Sequence, residues 1–307
     1  MLRFLAAAVL AAPAFAGDGV YELAGKILPP AAATVTIFGA TTPFTDSTLA
    51  DLGGSFHFRK LAPGAYTVAV RTRRGAARLT VEVGPGTANS SRRVTVTLRI
   101  HPSDPATRNL VSARQLSVPG RARHEYAEAQ KDLARRDTAS ATTHLEKAVE
   151  IAPQFSAAWN NLGTIAYQTQ EFDRAEECFR QALEQDPEAY EPLVNLGGVL
   201  ISLHKLDEAA EYNQHAVRVR PNDALANAQL GITYFELERF DLSEKYLRRA
   251  VEIDPAHFSH PQLFLAEIHA RQHQGHLAAR DLEDFLKHHP DWPQAQQVRE
   301  NIASLTR

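Results

Sequence analysis

The chain has 307 residues, a formal net charge of −3, and 44% hydrophobic and 22% charged residues. That length accommodates more than one domain, and the near-neutral balance excludes a wholly basic nucleic-acid-binding chain. A single cysteine, Cys178, excludes an internal disulfide framework.

The chain opens with Arg3, an apolar run from Phe4 to Ala12, and Ala14-Phe15-Ala16. A positive start, a short apolar core and an A-x-A site predict a secretory signal peptide over 1–16, cut after Ala16. A membrane anchor is the competing reading, but about a dozen apolar residues cannot span ~30 Å of hydrocarbon. The expected location is therefore the periplasm, the cell envelope or the exterior.

From 17 to 100 the pattern alternates with a period of two. Val94, Val96, Leu98 and Ile100 are separated by Thr95, Thr97 and Arg99, as in a strand with one buried face. Shorter runs at Val20–Ile27, Thr34–Phe38, Ser55–Phe58, Tyr66–Val70 and Leu79–Val83 are divided by Pro29-Pro30, Gly53-Gly54, Pro63-Gly64, Gly75 and Gly84-Pro85-Gly86. About seven short strands with turns at this spacing predict an all-β sandwich. The order Gly25-Lys26-Ile27, Thr34 to Ile37, Gly54-Ser55-Phe56-His57-Phe58 and Leu61 to Val68 resembles the transthyretin-like module of carboxypeptidase regulatory domains. That resemblance implies a non-catalytic accessory; no peptidase domain follows, so peptidase regulation does not carry over.

Residues 101–121, with Pro102, Pro105 and Pro119, read as a linker, although Leu110–Val118 has the composition of an added edge strand. Residues 17–121 carry 13 Lys/Arg against 6 Asp/Glu, whereas 122–307 carry 19 against 30. Arg71, Arg73, Arg74 and Arg78 cluster around one turn. They are either ordinary solvated charge or a contact to an anionic envelope surface. Without interleaved aromatics they do not suggest nucleic acid.

The second half is periodic. Pro153, Pro187, Pro221 and Pro255 recur every 34 residues, with Pro119 before and Pro290 after. Units align at 122–155, 156–189, 190–223, 224–257 and about 259–292. Trp159, Leu162, Gly163, Tyr167, Ala175, Phe179, Ala182 and Pro187 carry the pattern most fully, and Leu196-Gly197 and Leu230-Gly231 repeat its centre. This run resembles the tetratricopeptide repeat (TPR), a helical hairpin that stacks because each unit buries its apolar face only on its neighbours. Ala141/Ala148, Ala209/Ala216, Ser243/Ala250 and Ala278 supply the small residues a close helix crossing needs. Unit one has Glu125, Glu128 and Ala129 at the Trp, Leu and Gly positions, and unit five has Phe285 for the last alanine plus one extra residue. Over 293–307, Ala295, Val298, Ile302 and Leu305 share the face of a capping helix. The predicted architecture is multidomain: an all-β transthyretin-like sandwich, then an all-α TPR solenoid.

In the TPR resemblance the first helix of each pair lines a concave groove. The implied groove residues are Asn160, Asn161, Thr164, Tyr167 and Gln168 in unit two. Unit three adds Val194, Asn195, Gly198, Ile201 and Ser202, and unit four adds Ala228, Gln229, Ile232, Phe235 and Glu236. Asn161, Asn195 and Gln229 recur at one position, and amides both donate and accept, so this row suits the backbone of an extended peptide. The competing role is fixing the helix pair. The groove lacks the cationic clamp for a carboxylate, so apolar extended segments are the expected partner.

Seven of thirteen histidines fall between His257 and His289. His269, His273 and His276 have spacings that suit one helical face and a metal. Gly275 is expected to interrupt that helix, and no HExxH, phosphate loop or G-x-S-x-G elbow is present. The expectation is solvated or helix-terminal histidines, no metal, no cofactor and no catalysis. Cys178, beside Phe179, is expected to be a small buried hydrophobe, with an intermolecular disulfide as the alternative. The predicted role is an exported non-catalytic scaffold that binds a peptide or protein in the groove; the alternative is an accessory binding envelope polymer or carbohydrate through the sandwich.

Overall fold

The computed structural model describes residues 19–40, 42–72, 75–100 and 117–306. The expected signal peptide, Arg73, Arg74 and most of the expected linker lie outside these residues. Seven strands come first: β1 (Tyr21–Leu28), β2 (Thr34–Gly39), β3 (Thr45–Leu49), β4 (Ser55–Leu61), β5 (Gly64–Thr72), β6 (Gly75–Val83) and β7 (Arg93–Arg99). They form two sheets, ordered β4-β1-β7 and β3-β2-β5-β6. β1 pairs antiparallel with β4 and parallel with β7.

Alternation places Leu23, Ile27, Phe56, Phe58, Val94 and Leu98 on the buried face of the first sheet, and Val35, Ile37, Tyr66, Val68 and Val70 on that of the second. Gly54 turns the chain into β4 at φ +79°, where a Cβ would meet the Ile27 carbonyl oxygen at 2.8 Å. That conformation is open to glycine and strained for other residues. The strand missing from the sequence reading is β3, an edge of its sheet. Its only apolar residue, Leu49, is 73% exposed, so no alternation marks it.

Among the described residues eleven helices follow. They are α1 (Gly120–Ala134), α2 (Thr138–Ile151), α3 (Ser156–Gln168), α4 (Phe172–Gln185), α5 (Tyr190–Ser202), α6 (Leu206–Val219), α7 (Ala224–Glu236), α8 (Phe240–Ile253), α9 (Pro261–Arg271), α10 (Gly275–His288) and α11 (Ala295–Leu305). Successive pairs form five hairpins, and α11 packs Val298, Ile302 and Leu305 against Leu263, Leu282 and Phe285 of the fifth. Pro153, Pro187, Pro221, Pro255 and Pro290 each lie two residues past the end of a second helix, and the C-cap residue between has left the helical conformation, with φ from −126° to −147°. The tight turns inside the hairpins have their own period. Arg136, Gln170, His204, Glu238 and His273 all adopt positive φ. The next residue's N–H reaches back to close the helix, as in Asp137 to Asp132, Glu171 to Ala166 and Lys205 to Leu200, a Schellman ending that satisfies an orphan carbonyl.

The small residues sit where the helices cross. Ala141, Ala148, Ala175, Ala182, Ala209, Ala216 and Ala250 are fully buried, and Ser243 Oγ bonds the Gly231 carbonyl at 2.8 Å. A Cβ on Gly163 would lie 2.6 Å from the Phe179 ring; on Gly197 it would strike the Asn213 amide, and on Gly231 it would sit 2.7 Å from Leu247. Valine at position 163 is therefore expected to lower unfolding free energy by about 1–3 kcal/mol through overpacking. Urea denaturation measures this, and an unchanged midpoint would show that the crossing does not need glycine.

By contact density the chain divides into two compact units. One holds 42–46 and 103–221; the other holds the remaining β residues together with 222–307. Within the second, β6 meets the turns of the last two hairpins. The Thr80 N–H donates to Asp254 Oδ2 at 2.8 Å, and the Gly86 N–H donates to both Asp291 oxygens at 2.7 and 2.9 Å. Thr80, Val81, Glu82 and Val83 are consecutively buried, so the outer edge of this strand is covered rather than left to pair with another chain. The extra residue of unit five lies here, in the connection from Pro255 to His260.

Candidate functional site

First helices of neighbouring hairpins lie side by side within each unit, α3 with α5 and α7 with α9. In the unit built on 103–221, Asn160, Asn161, Thr164, Tyr167 and Gln168 on α3 and Asn195 and Ile201 on α5 are half-buried. The amides are already partly engaged. Asn195 Nδ2 donates to Asn160 Oδ1 at 3.0 Å, and Asn161 Nδ2 donates to the Tyr126 hydroxyl at 3.2 Å. Burial raises the Tyr126 pKa, with the Asn161 hydrogen bond opposing, so Tyr126 stays a neutral partner. The row thus acts in part as a fastener between hairpins. Asn161 Oδ1, Asn195 Oδ1 and Asn160 Nδ2 take no part in these two bonds, which leaves two acceptors and a donor on the row. Thr164 Oγ1 bonds the Asn160 carbonyl four residues back, and Tyr167 packs its ring on Phe172.

Four expected groove residues, Val194, Gly198, Ala228 and Phe235, are buried. Val194 is 2% exposed and Phe235 is 5% exposed. Phe235 is enclosed by Phe264 at 5.3 Å and Phe240 at 5.9 Å between ring centroids, with the Arg271 guanidinium over it at 5.0 Å. Beside it, Gln229 and Ile232 are half-buried, Glu236 is exposed, and Gln229 Oε1 is buried without a hydrogen-bond partner. Arg271 supplies a cation that the sequence reading did not place on this wall, neutralised by Glu267 at 2.9 Å. A cleft of about 530 Å³ lies elsewhere, lined by Arg180, Tyr212, His215 and Glu188 on and beside the second helices α4 and α6.

The histidines differ most from expectation. His269 ends on α9, His273 occupies the turn and His276 opens α10, so they share no face. Among the described residues no group of three His, Cys, Asp or Glu is placed to hold a metal ion. The expectation of solvent, however, fails for His257, His260, His269 and His289, which are 4%, 7%, 1% and 0% exposed. His269 Nδ1 meets Asp281 Oδ2 at 2.6 Å. His289 Nδ1 meets Glu82 Oε1 of β6 at 2.7 Å, and its Nε2 faces His260 Nδ1 at 3.4 Å. His260 and His289 do terminate helices, as expected. They serve as the buried polar core of the β6 junction.

Cys178 is 5% exposed within the apolar cluster of Leu145, Leu162 and Ile165, and burial pushes its thiol up to about 11. It is therefore protonated and packed, and unsuited to nucleophilic work. Arg78 lies 3.7 Å from Asp223, which engages part of the expected arginine surface internally. No described helix is long and apolar enough to cross a membrane.

A two-sheet β region followed by stacked helical hairpins with these caps, crossings and proline stops defines a protein carrying a TPR-like solenoid. Residues 125–254 match the family model described as the Cilia and flagella-associated protein 70 middle TPR-like domain. MamA (41-end) from Desulfovibrio magneticus RS-1 is similar at 19% identity over 58% of this chain and 99% of its own, with a TM-score of 0.51. PilW, described as a widely conserved type IV pilus biogenesis factor, is similar at 22% identity over 61% of this chain and 91% of its own, also at 0.51. These likenesses are of fold. No curated protein matches the chain in sequence.

Proposed function

We propose that the protein is an exported, non-catalytic scaffold that holds an extended peptide or protein segment against the wall formed by α3 and α5. The observation that carries this reading is the amide group itself: Asn160, Asn161 and Asn195 are locked by their own contacts at 3.0 and 3.2 Å yet keep two acceptors and a donor. Preorganised amides bind a peptide backbone without the entropic cost of ordering them, and they ignore side-chain identity. Tyr167 and Ile201 add apolar contact, which favours uncharged segments. Export rests on the start of the chain, and a transthyretin-like accessory role for the β region rests on its turn order and its seven strands in two sheets. Periplasm or cell envelope is the location that this reading requires.

Asn161→Ala combined with Asn195→Ala is expected to weaken capture of a partner crosslinked in intact cells by about tenfold, from two lost hydrogen bonds of about 0.5–1.5 kcal/mol each. The fold should persist by circular dichroism. Undiminished capture by the folded double variant would remove the groove reading.

A further inference from the structure

Four of the eight described Lys/Arg residues of the β region lie on one surface, the outer face of the β4-β1-β7 sheet. Strand alternation buries Leu23, Phe56, Phe58, Val94 and Leu98 and turns the residues between them outward. The registers then order that outer face in rows. Glu22 on β1 sits beside Arg93 on β7, Ala24 lies between His57 and Thr95, Lys26 between Ser55 and Thr97, and Leu28 beside Arg99. Arg59 extends the first row, 3.9 Å from Glu22, while Arg93 holds the same carboxylate at 2.9 Å. Glu22 is the only acid in these rows, so the face carries Arg59, Arg93, Lys26 and Arg99 against one negative charge. Both arginines stay open, with 72% and 49% of their side chains exposed.

We infer that this sheet face is a binding surface for a linear phosphate-bearing polymer. Arg93 and Arg99 are six residues apart on one strand, which sets cations about 20 Å apart along the face, with Lys26 between them. Apart from the exposed His57, the middle of the face is small or hydroxylated (Ala24, Ser55, Thr95, Thr97), giving room and hydrogen-bond donors to a backbone of phosphates. Its chemistry disfavours the other anionic partners. The rows carry no Phe, Tyr or Trp on which nucleobases could stack. Leu28, half-buried, is the only large apolar side chain in them, so nothing is presented to enter a bilayer. The surface is distinct from the 71–78 turn, whose Arg78 faces Asp223.

The test uses the full chain and long-chain polyphosphate, with phosphatidylglycerol vesicles as the contrast. Polyphosphate is expected to bind, and its affinity to fall about tenfold or more between about 50 and about 200 mM salt through counterion release. Lys26→Glu with Arg99→Glu should remove binding, whereas Lys26→Arg with Arg99→Lys should retain it. If the reversal variant does not fold, Lys26→Gln with Arg99→Gln should still weaken binding about tenfold. Absence of polyphosphate binding at low salt, binding unaltered in the folded Glu or Gln variant, or binding to vesicles alone would each overturn the inference.

Discussion

Replacing His289 with alanine is expected to lower the unfolding free energy of the unit holding β6 and the last two hairpins by about 3–5 kcal/mol. His289 is fully buried, and its Nδ1 is the sole hydrogen-bond partner of Glu82 Oε1; Glu82 Oε2 has none. The Glu82 side chain is 6% exposed. Truncation would thus leave a buried carboxyl group without its hydrogen-bond partner, at a cost. It would also open a void between Phe285, whose ring stacks 4.7 Å from the imidazole, and His260 at 4.5 Å. Glu82→Gln alone should cost less, because an amide keeps the shape and carries no charge. The double variant should then lose clearly less than the two single losses added together, since the orphaned carboxyl group is gone. Urea unfolding of all four proteins reads this cycle. Strict additivity would mean that Glu82 and His289 do not act as a pair.

The contrast between the helical half and this junction shows what a linear reading can reach. The hairpins were legible because their determinants are local: a proline stop, a small residue at each crossing, and glycines facing Phe179, Asn213 and Leu247 sixteen residues on. Six strands were legible by alternation. β3 was not, because Thr45–Leu49 buries only Thr45. The TPR resemblance implied the groove positions, but the burial of Phe235 depends on Phe264 and Arg271 of the next hairpin, and the engagement of Asn161 depends on Tyr126 of the preceding one. The partners of the buried histidines had no local signal. Glu82 and His289 are 207 residues apart and Thr80 and Asp254 are 174 apart, so nothing near either residue in the chain marks the contact. A conspicuous histidine density near an extra residue in the repeat was the one available clue.

Acidification from pH 7.5 to 5.5 is expected to lower the melting temperature of this same unit by about 5–10 °C, roughly 3 kcal/mol of stability. Burial lowers the pKa of His257 to about 3, with Arg78 and His289 adding repulsion and Asp223 opposing. Burial likewise sets His260 well below the ordinary histidine value, reinforced by His289 and His257. In the unfolded chain both imidazoles take up protons near pH 6.5. The folded state therefore binds fewer protons below that pH, and stability falls as pH drops, by about 1.4 kcal/mol per unit for each histidine, until the folded pKa is reached. Asp254 acts in the opposite sense. Burial raises its pKa, so its contribution improves as pH falls and offsets part of the loss. The remaining neighbours are Glu82, which pairs His289, and Arg78, which faces Asp223. His257→Gln with His260→Gln removes both titrating groups while keeping a hydrogen-bonding side chain at each position. Its melting temperature should change little over the same interval, and a fall equal to that of the parent would place the pH sensitivity elsewhere in the molecule.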